Sequence, residues 1–403
     1  MHDPVVIVGA ARTPLAAFQG EFSSLSASEI GAVAIRAAVE RAGLEPAHIE
    51  EVIMGNVLMA GQGQAPARQA AIKAGLPLSA GAVTLNKVCG SGMQAVMYAH
   101  DAILAGTSSV VVAGGMESMT NAPYLLSKAR AGFRAGHGRI YDHMMLDGLE
   151  DSYEPGTEPG NGRAMGLFGE QCAARYGFTR AEQDAFAMES VTRAQAAAGN
   201  GALAWEIAPV TVVARSGAML IDRDERPQNL KVEKIPMLKP AFSENGTITA
   251  ASSSGNADGA AALVLMREST AKKLGCQPIA RIIGHARHSQ EPEWFTTAPV
   301  GAIARLYSKA GWRTGEVDLF EINEAFAAVT MAAMKEHGIP RDKVNVHGGA
   351  CAIGHPIGAS GARIIVSLLG ALRQKGAQRG IAALCIGGGE ATAIAVELVQ
   401  PQG

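Results

Sequence analysis

The chain has 403 residues, which at ~150 residues per domain suggests two or three domains with room for a large core. Its 35 Lys and Arg against 37 Asp and Glu leave a net charge of −2, and no basic run appears, which argues against nucleic acid and anionic membranes as partners. With 48% hydrophobic and 18% charged residues the composition is that of a folded protein, and the 48 glycines exceed the usual ~7% share. No apolar run reaches the ~18 residues that a membrane span needs. The opening MHDPVVIVGAARTP lacks a basic segment leading into a long apolar one and does not read as a secretory signal. Five cysteines without paired spacing make no disulfide framework, so a soluble, reduced, cytoplasmic protein is expected.

In chain order, the Val- and Ile-rich run Pro4–Gly9 predicts a buried strand. Ser26 with Glu29 three residues on forms a capping box, and Gly43 supplies the stop of the helix that follows. Val52–Val57 is strand-like, Pro66–Gly75 a short helix, and Val83–Val88 a strand running into Cys89-Gly-Ser-Gly92. A helix to Gly106 and a strand Ser109–Ala113 ending in Gly114-Gly115 complete an α/β alternation. Residues 120–249 are turn-rich and charged, as in Glu154–Gly162 and Asp222–Pro227, with one helix capped by Thr179 and Glu182. They read as a long excursion from the core. Strands such as Ala260–Met266 then resume the alternation.

The last third echoes the first. Glu51–Asn56 resembles Asp318–Asn323 at an offset of 267, Cys89–Gly92 resembles Gly358–Gly361 at 269, and Val111–Gly115 resembles Ala383–Gly387 at 272. Gly-rich strand ends are common, so one such match means little. Three in the same order predict a duplicated half.

Four residues stand out for chemistry. Cys89 lies between a strand and a helix, where the positive end of the helix dipole would favour the thiolate, although a small buried cysteine in a tight turn fits equally. His355 enters a helix from the glycine-dense run His347–Gly361, whereas His347 suits a structural hydrogen bond. Cys385 ends a strand before Gly387-Gly-Gly389, a turn whose N–H groups could form an oxyanion pocket. Asn323 starts Asn-Glu-Ala-Phe326 and could be a helix N-cap. Cys351 precedes His355 by four residues, but no CxxC or HExxH completes a metal site, so no metal is expected. No GxGxxG or Walker A pattern follows any strand.

Taken together, these segments resemble the thiolase family nearly end to end. The matching stretches are Val8–Pro14, Asn86–Gly92, Gly114–Ser118, Asn323–Phe326, Gly354–Pro356 with Gly358–Gly361, and Cys385–Gly389. The resemblance implies a duplicated α/β core of five layers, α-β-α-β-α, with an inserted loop domain. Here that would assign 1–119 plus 250–274 to the N-terminal half, 120–249 to the insertion and 275–403 to the C-terminal half. It implies Cys89 as the acylated nucleophile, His355 as its base, Cys385 as the acid/base at Cα, and Asn323 as the holder of a water beside His355. The N–H groups of Cys89 and Gly387 would form an oxyanion hole, with Ser254 contacting coenzyme A and Met165 lining the acyl and pantetheine end.

The implied activity is acyl-CoA C-acyltransfer through a Cys89 acyl-enzyme, most simply that of an acetyl-CoA C-acetyltransferase, with a 3-ketoacyl-CoA thiolase for longer or branched chains as the alternative. Coenzyme A thioesters would be substrates rather than resident cofactors. A homotetramer built from two dimers is expected, with Phe133, Ile140, Tyr141, Met144 and Met145 as an exposed apolar patch. A decarboxylating condensing enzyme would want a second His at Asn323, and a non-catalytic acyl-CoA carrier would not need Cys89, His355 and Cys385 intact. Glu390-Ala391, Ala164, Ser252 and Asn256 depart from the family pattern and leave chain-length preference open.

Overall fold

The computed structural model describes residues 3–154, 157–214 and 217–399. The first strand, β1 (Val5–Arg12), is buried along its whole length, as expected of a β-branched run at the centre of a sheet. The helix α1 (Ala27–Arg41) begins where its capping box requires. Ser26 Oγ accepts from Glu29 N at 3.3 Å, and Glu29 Oε2 accepts from Ser26 N at 2.9 Å. There follow β2 (Glu51–Gly55), α2 (Pro66–Lys73), β3 (Gly81–Leu85), α3 (Ser91–Ala105) and β4 (Val110–Ser118).

Two of these differ from the expected bounds for physical reasons. The strand β3 stops at Leu85 because Val88 has a φ of 45°, which no extended ladder accommodates. The strand β4 continues through Gly114 and Gly115 rather than ending there. A Cβ on Gly115 would lie 2.0 Å from Gly358 O, so this glycine serves close approach to a neighbouring helix and not a turn.

The insertion holds α4 (Met165–Tyr176) and α5 (Arg180–Gly199), the latter capped by Thr179 and Glu182 as predicted, and a hairpin of Val210–Ala214 with Gly217–Ile221. Arg12 anchors the insertion to β1. Its buried guanidinium meets Glu206 Oε1 at 2.6 Å and Asp224 Oδ1 at 2.7 Å. The turn-rich stretch Glu154–Gly162 includes residues 155 and 156, which lie outside the described residues. The expected apolar patch is smaller than its sequence suggests. Short strands Tyr124–Leu125 and Tyr141–Asp142 pair and turn the chain back, so Met144 sinks among Val57, Leu58, Met119 and Ile357. Ile140 remains 66% exposed and Phe133 38%.

The C-terminal part adds β5 (Ala257–Arg267), β6 (Ala280–Ser289), α6 (Ala298–Ala310), β7 (Leu319–Ile322), α7 (Ala327–His337), α8 (Ala350–Ile353), α9 (Ile357–Lys375), β8 (Arg379–Ile386) and β9 (Glu390–Leu398). The main sheet runs β7-β8-β9-β6-β1-β5-β4-β2-β3, with Ala16–Ala17 pairing beside β5. The duplication is visible in its ladders. In the first half β2 is parallel to β4, β4 antiparallel to β5 and β5 to β1. In the second β7 is parallel to β8, β8 antiparallel to β9 and β9 to β6. The halves meet edge to edge where Val6 faces Arg281 and Ile7 faces Ala280.

Three cores separate the layers. One lies between the first half-sheet and α1 with α2, and another between the second half-sheet and α6 with α7. Between the half-sheets sit α3 and α9, whose apolar side chains fill the central core. From Ile357 to Leu372 the helix α9 is buried on every side, including Arg363, as its position in the middle of five layers demands.

Candidate active site

The first turns of α3 and α9 touch. A Cβ on Gly92 would lie 2.8 Å from Ala362 N and 3.0 Å from Gly358 O, so only glycine lets these helices approach so closely. This contact brings Cys89, just before α3, to the same end of the middle layer as His355, just before α9. Ser91 Oγ accepts from Lys87 N at 2.8 Å and donates to Val88 O at 2.7 Å, which fixes the elbow that presents the cysteine. Cys89 packs against the cluster that contains Ile357 and Met144.

The backbone N–H groups of Gly387 and of Cys89 itself act electrostatically on the Cys89 sulfur. They favour its anion, but burial outweighs them and pushes the thiol up to about 11. This corrects the expectation that a helix dipole pre-forms the thiolate. The helix starts only at Ser91 with Gly90 as its cap, and the surroundings of the sulfur are largely apolar. His355 is shifted the other way, down to about 3, first by burial and then by the Arg363 cation. The resting pair is therefore a neutral thiol and a neutral imidazole.

Hydrogen bonds fix the imidazole tautomer. His355 Nδ1 lies 2.6 Å from Ser360 Oγ, which in turn donates to Pro356 O at 2.9 Å, so the Nδ1 position carries the proton. Nε2 is left as the acceptor and faces Asn323 Nδ2 at 3.5 Å. The Asn323 amide is oriented by Arg363 Nη2, which donates to Asn323 Oδ1 at 3.2 Å. Asn323 is not a helix N-cap, because α7 begins at Ala327, and its side chain is free to face His355. His355 Nε2 thus points to Asn323.

Cys385 closes the other side. It is the penultimate residue of β8, and the last, Ile386, lies so near Gly90 that a Cβ there would sit 2.3 Å from its Cδ1. Phe168, Phe295 and Phe326 pack in one cluster with Cys385, and Met165 and Phe242 border it. Burial and the neighbouring Cys89 raise the Cys385 thiol well above its ordinary value. Met165 Sδ is 3.7 Å from where a Cβ on Gly387 would stand, so Met165 borders the Gly387 turn as well as the Cys385 cluster. Ser254 donates its N–H to Ala325 O at 2.9 Å, and His355 N donates to Gly255 O at 2.8 Å, which sets the Ser254 loop beside His355. His347 bonds Gln374, and Cys351 packs on Glu324 O at 3.8 Å; neither joins the cluster.

Sequence reasoning missed several supporting groups. Glu117 is buried and accepts four N–H donors: Asn56 Nδ2 at 2.6 Å, Leu58 N at 3.1 Å, Val57 N at 3.0 Å and Gly358 N at 2.9 Å. Burial raises its carboxyl to about 7, yet four donors and no acceptor favour the ionised form. Ser360 and Arg363 were equally missed, although Ser360 lies within the duplicated Gly-Ala-Ser-Gly landmark. Lys87 Nζ forms an ion pair with Glu390 Oε2, so Glu390, noted only as a departure, ties the Cys89 elbow to the Gly387 turn.

Comparison with known proteins bears on the family and the fold. Residues 5–269 match the family description "Thiolase, N-terminal domain" and residues 276–398 match "Thiolase, C-terminal domain". The chain is 48% identical over 398 residues to acetyl-CoA acetyltransferase 2 of Arabidopsis thaliana, covering 98% of this chain and 97% of the relative. It is 49% identical over 396 residues to an acetyl-CoA acetyltransferase of Cupriavidus necator, covering 98% and 99% respectively. Among solved structures it is similar to the Acat5 thiolase from Ascaris suum in complex with coenzyme A, with a TM-score of 0.91, 42% identity and coverage of 98% of this chain and 100% of that one. Sequence, fold and the paired cysteines with their imidazole agree: the chain belongs to the thiolase family.

Proposed function

We propose that this protein is an acetyl-CoA C-acetyltransferase, which joins two molecules of acetyl-CoA into acetoacetyl-CoA and free coenzyme A and catalyses the reverse cleavage. The observation that carries this reading is the meeting of three segments at one place: the Cys89 elbow lies against Ile386, next to Cys385, at Gly90 and against the first turn of α9, next to His355, at Gly92. The similarity to proteins named acetyl-CoA acetyltransferase at 48% and 49% identity supports the acetyl group as the cargo. The aromatic wall of Phe168, Phe295 and Phe326 around Cys385 supports a short acyl chain over a long one.

The proton traffic balances with these residues alone. As the Cys89 sulfur attacks the thioester carbonyl, its proton passes to His355 Nε2, and the oxyanion is held by the N–H groups of Cys89 and Gly387. The carbon–sulfur bond to coenzyme A breaks, and the departing thiolate takes the Cys385 proton. Cys385, now a thiolate, removes the Cα proton of the second acetyl-CoA. Its enolate oxygen is held by the protonated His355 Nε2 and by the Asn323 amide, directly or through water. The carbanion attacks the acetyl group on Cys89, a new carbon–carbon bond forms, and the released Cys89 sulfur recovers its proton from His355. Ser254 and Met165 are assigned to the coenzyme A side of the cleft, and no resident cofactor is needed.

We further assign residues 120–249 as an inserted loop domain and the protein as a cytoplasmic homotetramer. The open edge of β3, where Val83 is 47% exposed, supports one pairing surface, and the exposed Leu126 and Ile140 support a second. No helix among the described residues is long and apolar enough to cross a membrane.

Intact-mass measurement after incubation with acetyl-CoA tests the reading. One acetyl group should appear on Cys89; label on Cys351 or Cys385 would overturn it. Cys385→Ala should acquire the acetyl group but fail to condense it, whereas His355→Ala should lose both steps. Thiolysis of 3-ketoacyl-CoA substrates of increasing chain length should fall after acetoacetyl-CoA. Faster cleavage of long chains would replace the acetyl assignment by that of a longer-chain thiolase. Light scattering should give a tetramer, and deletion of 128–140 should leave a dimer.

A further inference from the structure

At the far end of α3 from Cys89, three side chains of ligand type meet between the two halves of the molecule. His100 and Asp101 come from α3, and His285 comes from β6. His285 Nε2 lies 2.8 Å from Asp101 Oδ1, and His100 Nδ1 lies 3.2 Å from the same oxygen. The two imidazoles meet edge to face with centroids 5.0 Å apart, and one ligand atom from each of the three residues lies within 4.8 Å of the others.

We infer that His100, Asp101 and His285 form a binding site for a divalent transition metal of the zinc class, which would clip the N-terminal half to the C-terminal half. Two imidazoles and one carboxylate are a donor set suited to zinc, cobalt and nickel. With metal–ligand bonds of about 2.0–2.2 Å, the ligand atoms of a tetrahedral site stand roughly 3.3 Å apart. The shared oxygen already lies within that range of both ring nitrogens, at 2.8 and 3.2 Å. His100 and His285 are nearly covered, with side chains 11% and 12% exposed, whereas Asp101 is 49% exposed. That leaves one open side where water could complete the coordination.

Charge is compatible with a dication. The nearby cations are engaged elsewhere: Arg267 donates to Asp3 O at 2.8 Å and to Leu104 O at 2.9 Å, and Lys309 Nζ donates to His285 O at 3.0 Å. The ten residues from Ser91 to His100 span about 14 Å of helix, at ~1.5 Å per residue, so a metal here would not touch the reacting atoms. Its role would be to hold the two halves together. Residues 100 and 285 are too far apart in sequence for a spacing motif to reveal them.

The test is titration of chelator-treated full-length protein with Zn2+ by calorimetry, and with Co2+ followed by its visible absorption. The Cys89→Ala variant is run in parallel so that the nucleophile cannot supply the signal. One equivalent per chain, a tetrahedral Co2+ spectrum and a higher Tm are expected. Asp101→Asn, at an exposed position, should keep the fold and bind at least ~10-fold more weakly, as should His285→Gln. Acetylation of Cys89 should be unchanged in both. Affinity that is unaltered in Asp101→Asn and His285→Gln, or the absence of a saturable equivalent in the unsubstituted chain, overturns the proposal and leaves a hydrogen-bonded His-Asp-His cluster.

Discussion

Ser360→Ala removes one oxygen atom and tests the tautomer argument directly. Ser360 is fully buried on α9 and takes the His355 Nδ1 proton at 2.6 Å, so the substitution strands a buried N–H. A neutral hydrogen bond contributes about 0.5–1.5 kcal/mol net, and an unsatisfied buried donor costs about 1–3 kcal/mol. The imidazole can escape this cost by moving its proton to Nε2, but Nε2 is then no longer a base toward Cys89. Either way the acylation barrier should rise by about 1–3 kcal/mol, which corresponds to roughly 5- to 150-fold in rate. The assay is rapid-quench acetylation of Cys89 followed by intact mass, with urea unfolding to check that the fold survives. The loss should fall on the acylation rate constant and leave acetyl-CoA affinity near that of the parent. An acylation rate within twofold of the parent, in a folded variant, would show that Ser360 does not set the proton position.

Glu117→Gln should destabilise the protein by about 3–5 kcal/mol in urea unfolding, because an amide turns its own N–H toward at least one of four converging donors; a loss below 1 kcal/mol would mean the carboxylate is dispensable. The acid limb of stability should be shallower in His355→Gln. Folded His355 resists protonation until about pH 3 while the unfolded chain takes the proton near 6.5, so the parent loses stability as pH falls through that window. The carboxyls of Glu117 and Glu321, raised to about 7 and about 8, act oppositely but are common to both proteins and cancel in the comparison; equal losses between pH 7 and pH 4.5 would contradict the assignment. Glu390→Gln breaks the ion pair with Lys87, whose side chains are 20% and 35% exposed for Lys and Glu. Such a pair is worth about 0.2–1 kcal/mol, so kcat should fall at most about fivefold with KM nearly constant, and the effect should fade in high salt.

Much of the fold was legible because its signals are local. Capping boxes at Ser26 and Thr179 and β-branched runs such as Pro4–Gly9 depend on neighbours in the chain, and those elements form where the pattern puts them. The repeat of three landmarks conveyed the duplication. What escaped were features set by packing between distant segments. The glycine pair 114–115 looks like a turn until β5 is laid against Gly114 and α9 against Gly115, and Met144 looks exposed until the chain folds back under Ile357. For the site, Cys89, His355 and Cys385 could be singled out by their glycine-rich surroundings. The tautomer-setting Ser360 and the buried Arg363 could not, since a serine or an arginine in a helix carries no local mark of what it will face. The thiol's high pKa was hidden for the same reason, because burial arises from the whole fold and the helix dipole from one element.

The seam between β1 and β6, where only Val6 with Arg281 and Ile7 with Ala280 are paired, has a kinetic consequence. Each half has its own strand order and can form its ladders from contacts within itself, whereas the sulfur and the imidazole belong to opposite sides of the seam. Docking the halves closes loops of more than two hundred residues, from Ile7 to Ala280 and from Cys89 to His355, and contacts so distant along the chain form late. On dilution from denaturant, helical and strand signal should therefore return before the ability to accept an acetyl group, and the intervening species would expose the apolar faces of α3 and α9. Aggregation during refolding should be worst in that interval, and a short apolar dye pulse should label it most strongly.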